Sequence, residues 1–211
     1  HKINYKLYIL SDGMGGHPQG DEASFIACNS ALSIITKQFN HHLTEKDIYK
    51  LLEKAFKAAC TDVNKLGKNY KFNNPTPGAT LICVLCYNGK YYYASVGDSY
   101  LFKYSDKPSL INNLHENWDG SLTLTIGCRE PPGNVLAGMD KGVIQLNEDE
   151  RLILCSDGIA LERLLREWET TNPLFKDDLL NLFIGTNEEV ENKLYLWSKD
   201  KTGDDCSIIV I

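Results

Sequence analysis

The order of apolar and polar residues divides this chain into strands and helices before any single residue is weighed. Residues 5–10 form a short, β-prone apolar run ending at Ser11-Asp12-Gly13-Met14-Gly15-Gly16-His17, a turn with three glycines in four positions. Residues 21–39 then carry Ala23, Ile26, Ala27, Ala31, Ile34 and Ile35 at spacings of three and four, which predicts an amphipathic helix. A second helix opens at Thr44, a capping residue with Asp47 three positions on. Its apolar face runs through Ile48, Leu51, Leu52, Ala55, Phe56, Ala59 and Val63, with Gly67 as the expected C-cap.

The period changes at Gly78. Residues 79–87 and 90–96 flank Asn88-Gly89, a two-residue hairpin signal between β-prone runs, and residues 100–104 continue as a strand after the turn Gly97-Asp98-Ser99. Residues 105–142 are rich in Pro, Gly and Asn and read mostly as loop, with a short strand near 122–126. Residues 143–146 and 151–155 flank Asn147-Glu148-Asp149-Glu150 and predict another hairpin. Helical spacing returns in 159–168, 178–183 and 188–197, and a β-branched run over 206–211 closes the chain. No repeat, linker or low-complexity tract interrupts this order, and the 211 residues read as a single domain, 1–211.

Composition narrows the function classes. A net charge of -6 argues against general attraction to nucleic acid or anionic lipid and favours a cleft that recruits cations. The seven cysteines sit in or beside apolar runs without framework spacing, which predicts reduced thiols in a cytoplasmic setting. Cys83 and Cys86 form a C-x-x-C, but on a strand they point to opposite faces, so a shared zinc is not expected. No apolar run approaches the roughly 20 residues of a membrane span, and no signal peptide is evident. Because the chain begins at His1 rather than Met, an N-terminal piece is expected to be missing. Nothing resembles a coiled coil, and a monomer is expected.

The candidate chemistry lies in acidic residues at strand ends. Asp12, Asp98 and Asp157 each follow a predicted strand, whereas Asp204 and Asp205 precede the last one. If that last strand runs antiparallel to the others, these carboxylates reach one edge, where mutual repulsion is relieved by divalent cations. Oxygen donors select Mg²⁺ or Mn²⁺ over zinc. A pair of such ions can activate water for attack on phosphorus. Taken singly, each Asp could equally be a solvated turn residue. A side-chain nucleophile finds little support: Gly97-Asp98-Ser99 is not a G-x-S-x-G elbow, and no Cys occupies a cationic or Gly-rich setting.

Asp12-Gly13-Met14-Gly15-Gly16-His17, Gly78-Ala79-Thr80, Val96-Gly97-Asp98-Ser99, Leu154-Cys155-Ser156-Asp157-Gly158-Ile159 and Asp204-Asp205-Cys206-Ser207 resemble, in order, the motifs of the metal-dependent serine/threonine protein phosphatases of type 2C, the PPM family, in its bacterial form. Together they span essentially the whole chain. The resemblance implies an α+β fold, a four-layer α-β-β-α sandwich with two central antiparallel β-sheets flanked by helices. It implies a binuclear Mg²⁺/Mn²⁺ centre in which Asp12 bridges the ions, the Gly13 carbonyl binds one, and Asp157 and Asp204 bind the other. A weaker third ion would be shared by Asp98 and Asp157. The implied reaction is hydrolysis of phosphoserine or phosphothreonine in phosphoproteins, the targets of a serine/threonine kinase, by direct attack of water or hydroxide at that centre.

Departures from the family pattern accompany the match. The family's upstream strand supplies a phosphate-binding Arg and a second-metal acid, and both would fall before His1. In the family's animal members a His proposed to protonate the leaving group sits where Met14 is, whereas bacterial members have Met there and a His at the place of His17, for which a structural turn His competes with the acid role. Tyr100 replaces a usual Arg, Leu161 replaces a usual Asp, and the flap between Ser99 and Gly127 is short. These changes keep open a catalytically silent module that uses the phosphatase fold for binding. A different metal-dependent phosphoester hydrolase also remains compatible with the acidic cluster.

Overall fold

The structure is a computed structural model that describes residues 5–69, 75–159, 161–170, 176–202 and 205–211. In chain order its elements are β1 (Lys6–Leu10), α1 (Gly20–Gln38), α2 (Glu45–Asn69), β2 (Gly78–Ala79), β3 (Leu81–Tyr87), β4 (Lys90–Val96), β5 (Tyr100–Tyr104), β6 (Pro108–Leu110), β7 (Ile126–Gly127), α3 (Pro132–Gly138), β8 (Asp140–Ile144), β9 (Arg151–Cys155), α4 (Leu161–Thr170), α5 (Lys176–Asn181), α6 (Asn187–Thr202) and β10 (Ile208–Val210). The class is α+β, as expected.

The described chain forms two compact units, one of residues 1–99 with 113–145, the other of 100–112 with 146–211. The first holds an antiparallel sheet in the order β1-β3-β4-β8 and a short β2-β7 pair. The β3-β4 hairpin turns at Asn88 and Gly89, with φ of 51° and 72°. Two successive positive φ values favour Asn-Gly and match the twist of the strands on either side. β3 is buried on both faces from Leu81 to Leu85, which accounts for its unbroken apolar sequence.

On this sheet lie α1 and α2, which pack along one another. Ala23, Ala27, Ala31 and Ile35 form a fully buried stripe on α1, and the three small alanine side chains leave room for a close neighbour. From α2, Ile48, Leu52 and Phe56 are among the largest fully buried side chains of the core, each contributing about 1.5–3 kcal/mol through burial. Thr44 and Asp47 close a reciprocal cap at the start of α2. The Asp47 N–H donates to Thr44 Oγ1 at 3.3 Å, and the Thr44 N–H donates to Asp47 Oδ2 at 3.2 Å. Hydrogen bonds from Thr44 hold the Asp47 carboxyl below its ordinary pKa. Gly67, expected as the C-cap, is instead inside the helix, where an added Cβ would touch Pro77 at 3.4 Å.

The second unit is the antiparallel sheet β10-β9-β5-β6 with α4, α5 and α6. Phe183 stacks on Tyr104 at 4.0 Å between ring centroids and meets Phe102 edge-on at 6.4 Å. Ser198 on α6 donates to the Ile159 carbonyl at 2.8 Å, and Glu191 accepts from the Val210 N–H at 3.0 Å. The expected hairpin across residues 147–150 does not form: β8 pairs with β4, while β9 pairs with β5 and β10. The region expected to be mostly loop also contains β6 and α3, and its short strand lies at Ile126–Gly127.

Candidate functional site

β1 and β4 each run antiparallel to β3, so Asp12, beyond β1, and Asp98, beyond β4, reach the same end of the first sheet. Thr80 fixes them there. Its N–H donates to the Asp12 carbonyl at 2.8 Å, and its Oγ1 accepts the Asp12 N–H at 2.9 Å. Ser11 Oγ donates to the Thr80 carbonyl at 2.5 Å. Thr80 Oγ1 also lies 2.7 Å from Ser99 Oγ, beside Asp98. Thr80 is only 3% exposed, so this linkage is shielded from water.

Gly13 stands opposite Ala79 in an isolated antiparallel bridge. The bridging hydrogen bonds belong to its neighbours, Thr80 N–H to Asp12 O and Met14 N–H to Gly78 O at 3.0 Å. In such a pair the central residue's own N–H and C=O point away from the partner strand. The Gly13 carbonyl is therefore turned outward next to Asp12, which is half-buried. A side chain at 13 is excluded because its Cβ would lie 2.2 Å from the carbonyl oxygen of Gly20, where α1 begins.

The turn before Asp98 depends on Gly97, whose φ of 102° is a conformation that side chains rarely adopt. His115 secures it: its N–H donates to the Gly97 carbonyl at 3.0 Å, and its Nε2 lies 2.7 Å from the Gly138 carbonyl. His17, offered by the sequence as a proton donor, has Nδ1 2.8 Å from the Thr76 carbonyl. That contact places the proton on Nδ1 and anchors the ring.

In the second unit Asp157 opens a single 3₁₀ turn, Asp157–Ile159, directly past β9, and is exposed. Antiparallel pairing of Ile208 with Cys155 brings the residues before β10 to the same sheet end. Ser156 N–H donates to the Ser207 carbonyl at 3.0 Å, and Ser156 Oγ donates to the Asp205 carbonyl at 3.3 Å. Cys206 Sγ donates to the Gly158 carbonyl at 3.0 Å. Asp204, an expected ligand, lies outside the described residues. Among the described residues no three His, Cys, Asp or Glu gather closely enough to hold an ion.

Thus each unit brings its expected acids to one end of its sheet, Asp12 with Asp98 and Asp157 with Asp205. The sequence did not assign roles to Thr80 or His115. Thr80 was visible only as part of the Gly78-Ala79-Thr80 motif, and no spacing signal marks His115.

The protein phosphatase 2C family model matches residues 2–195. The chain belongs to the protein phosphatase 2C family. It is of the bacterial type, a protein serine/threonine phosphatase by family. It is 28% identical over 180 residues to the serine/threonine phosphatase stp of Listeria monocytogenes, covering 76% of this chain and 69% of that protein. The fold resembles the S. agalactiae serine/threonine phosphatase, with a TM-score of 0.76 at 20% identity, covering 99% of this chain and 87% of that one. It also resembles the catalytic domain of the serine/threonine phosphatase PstP, solved in complex with 2 manganese ions, with a TM-score of 0.68 at 17% identity over 100% of this chain and 91% of that one. No disulfide joins any cysteines among the described residues. No helix among the described residues is long and apolar enough to cross a membrane.

Proposed function

We propose that this phosphatase hydrolyses phosphoserine and phosphothreonine in proteins at a binuclear Mg²⁺ or Mn²⁺ centre held by Asp12, the Gly13 carbonyl, Asp157 and Asp204, with Asp98 and Asp157 serving a third ion. The donor chemistry fits: three carboxylates and one carbonyl are hard oxygen ligands. The observation that carries the reading is the clamp at Thr80, which fixes the Asp12 main chain while the Gly13 carbonyl faces away from its partner strand. When bound, such an ion pair supplies an activated water and neutralises charge on the phosphoryl oxygens.

The chain's own residues prepare that chemistry. Thr80 and Ser99 hold the Asp12 and Asp98 turns without side-chain rearrangement at the moment of reaction. Ser156, beside Asp157, does the same for residues 205–207. His17, anchored through Nδ1, is left with Nε2 as the atom that can carry a proton toward a leaving oxygen. The substrates are phosphoproteins modified by a serine/threonine kinase, and the setting is cytoplasmic signalling.

The test is phosphate release from a phosphothreonine peptide, titrated with Mn²⁺ and Mg²⁺, alongside calorimetric Mn²⁺ binding. Saturable release that is lost in a folded Asp12→Asn variant is expected. Release that ignores metal, or survives Asp12→Asn at full rate, would overturn the assignment. Metal binding without release would favour the silent module.

A further inference from the structure

We propose that Met14, His17 and Cys128 form a site for a soft monovalent metal ion, Cu⁺, distinct from the oxygen donors above and sharing His17 with the proton role proposed there. The Cys128 thiol lies 3.4 Å from Met14 Sδ, 3.6 Å from His17 Nδ1 and 3.5 Å from the Thr76 carbonyl oxygen. One thiol, one thioether and one imidazole therefore converge from sequence positions up to 114 residues apart. None of these atoms belongs to the oxygen donor set assigned above, although Met14 adjoins Gly13.

Cys128 Sγ stands at spacings from Met14 Sδ and from His17 Nδ1 that a shared ion can span. At about 2.3 Å from sulfur and about 2.05 Å from nitrogen, an ion would subtend roughly 95° between the two sulfurs and roughly 110° between Cys128 Sγ and His17 Nδ1. Thiolate and thioether donors select Cu⁺, while Mg²⁺ and Mn²⁺ prefer oxygen. Two features of the surrounding backbone keep the sulfurs together. Gly78 lacks a side chain where an added Cβ would stand 2.3 Å from Cys128 Sγ and 2.8 Å from Met14 Sδ. Cys128 itself has a φ of 49°, between Gly127 at 98° and Arg129 at 61°, an uncommon run that turns the thiol into the cluster.

On binding, a Cu–S bond forms to Cys128 and the thiol proton leaves to solvent. No electron is transferred. His17 ligates through Nδ1 with its proton moved to Nε2, and its hydrogen bond to the Thr76 carbonyl is given up.

The experiment is an anaerobic Cu⁺ titration of the full chain against a colorimetric Cu⁺ chelator, with parent, Cys128→Ser and Met14→Leu compared. The parent is expected to take one equivalent. Met14→Leu keeps the side-chain bulk and removes only the thioether, so at least about a tenfold weaker affinity is expected, with a larger loss for Cys128→Ser. X-ray absorption of the parent should show two sulfur scatterers and at least one nitrogen, which keeps the test decisive if Cys128→Ser does not fold. Unchanged affinity in Met14→Leu, a sulfur-only shell, or preference for Zn²⁺ over Cu⁺ would overturn the proposal. Because the readout is metal affinity, its failure leaves the phosphatase reading untouched.

Discussion

Replacing Thr80 with Val removes one buried oxygen and nearly preserves shape. That oxygen accepts the Asp12 N–H at 2.9 Å and meets Ser99 Oγ at 2.7 Å, so both contacts are lost together. Because Thr80 is 3% exposed, water cannot readily replace them, and a loss of about 1–3 kcal/mol is expected. With an m-value of about 2 kcal/mol/M, the urea midpoint should fall by roughly 0.5–1.5 M. The Asp12 turn would keep its main-chain anchors, among them the Thr80 N–H to Asp12 carbonyl bond and the Met14 N–H to Gly78 carbonyl bond. If about 1.4 kcal/mol of the loss is felt at the Asp12 carboxylate, the Mn²⁺ concentration for half-maximal phosphate release rises tenfold. Thr80→Ser retains the hydroxyl and should restore the metal response, though not all the packing. A Thr80→Val protein as stable as the parent, with the same Mn²⁺ dependence, would refute the clamp.

Asp157→Asn should leave the fold intact and weaken Mn²⁺ binding by at least about tenfold, measured by calorimetry together with turnover. Asp205→Asn should be milder than Asp204→Asn; equal losses would show that the two acids have been assigned in the wrong register. Gly97→Ala forces a side chain onto a φ of 102° and sets its Cβ 2.6–3.0 Å from Thr80 atoms, so destabilisation beyond about 1–3 kcal/mol is expected in urea melts. The cap at Asp47 gives a pH signature. Its folded pKa is depressed, so its contribution is present above the unfolded value of about 3.9 and fades as pH falls through the folded pKa. The stability gap between parent and Asp47→Asn should therefore close on acidification below about pH 4, and a gap that widens there would contradict the cap.

What the sequence revealed follows the reach of each interaction. The Asn88-Gly89 turn, the Thr44–Asp47 cap and the face of α2 depend on neighbours a few residues apart, and all were legible. The β2-β7 pair was not, because two residues at 78–79 meet two at 126–127 without a periodic pattern. α3 was hidden by its seven-residue length and its start after Pro131. The failed hairpin at residues 147–150 shows that a polar tetrad announces a turn without naming the partner of either strand. In the candidate site, the sequence marks the carboxylates one by one as residues at strand ends. Their fastening through Thr80, 68 residues from Asp12, and the meeting of Met14 with Cys128, 114 residues away, are tertiary facts.

The back-to-back approach of Gly13 and Gly20 has an evolutionary meaning. A Cβ on Gly13 would strike the backbone of Gly20, and a Cβ on Gly20 would press against Met14 and Gly13 backbone atoms at 3.1–3.3 Å. Most crowded pairs can exchange bulk, one member shrinking as the other grows. Here both members are already at the minimum, so no compensating substitution exists within the pair. In a pooled library of variants, escape from a lesion at position 13 should arise only from changes that shift the first turn of α1, never from position 20.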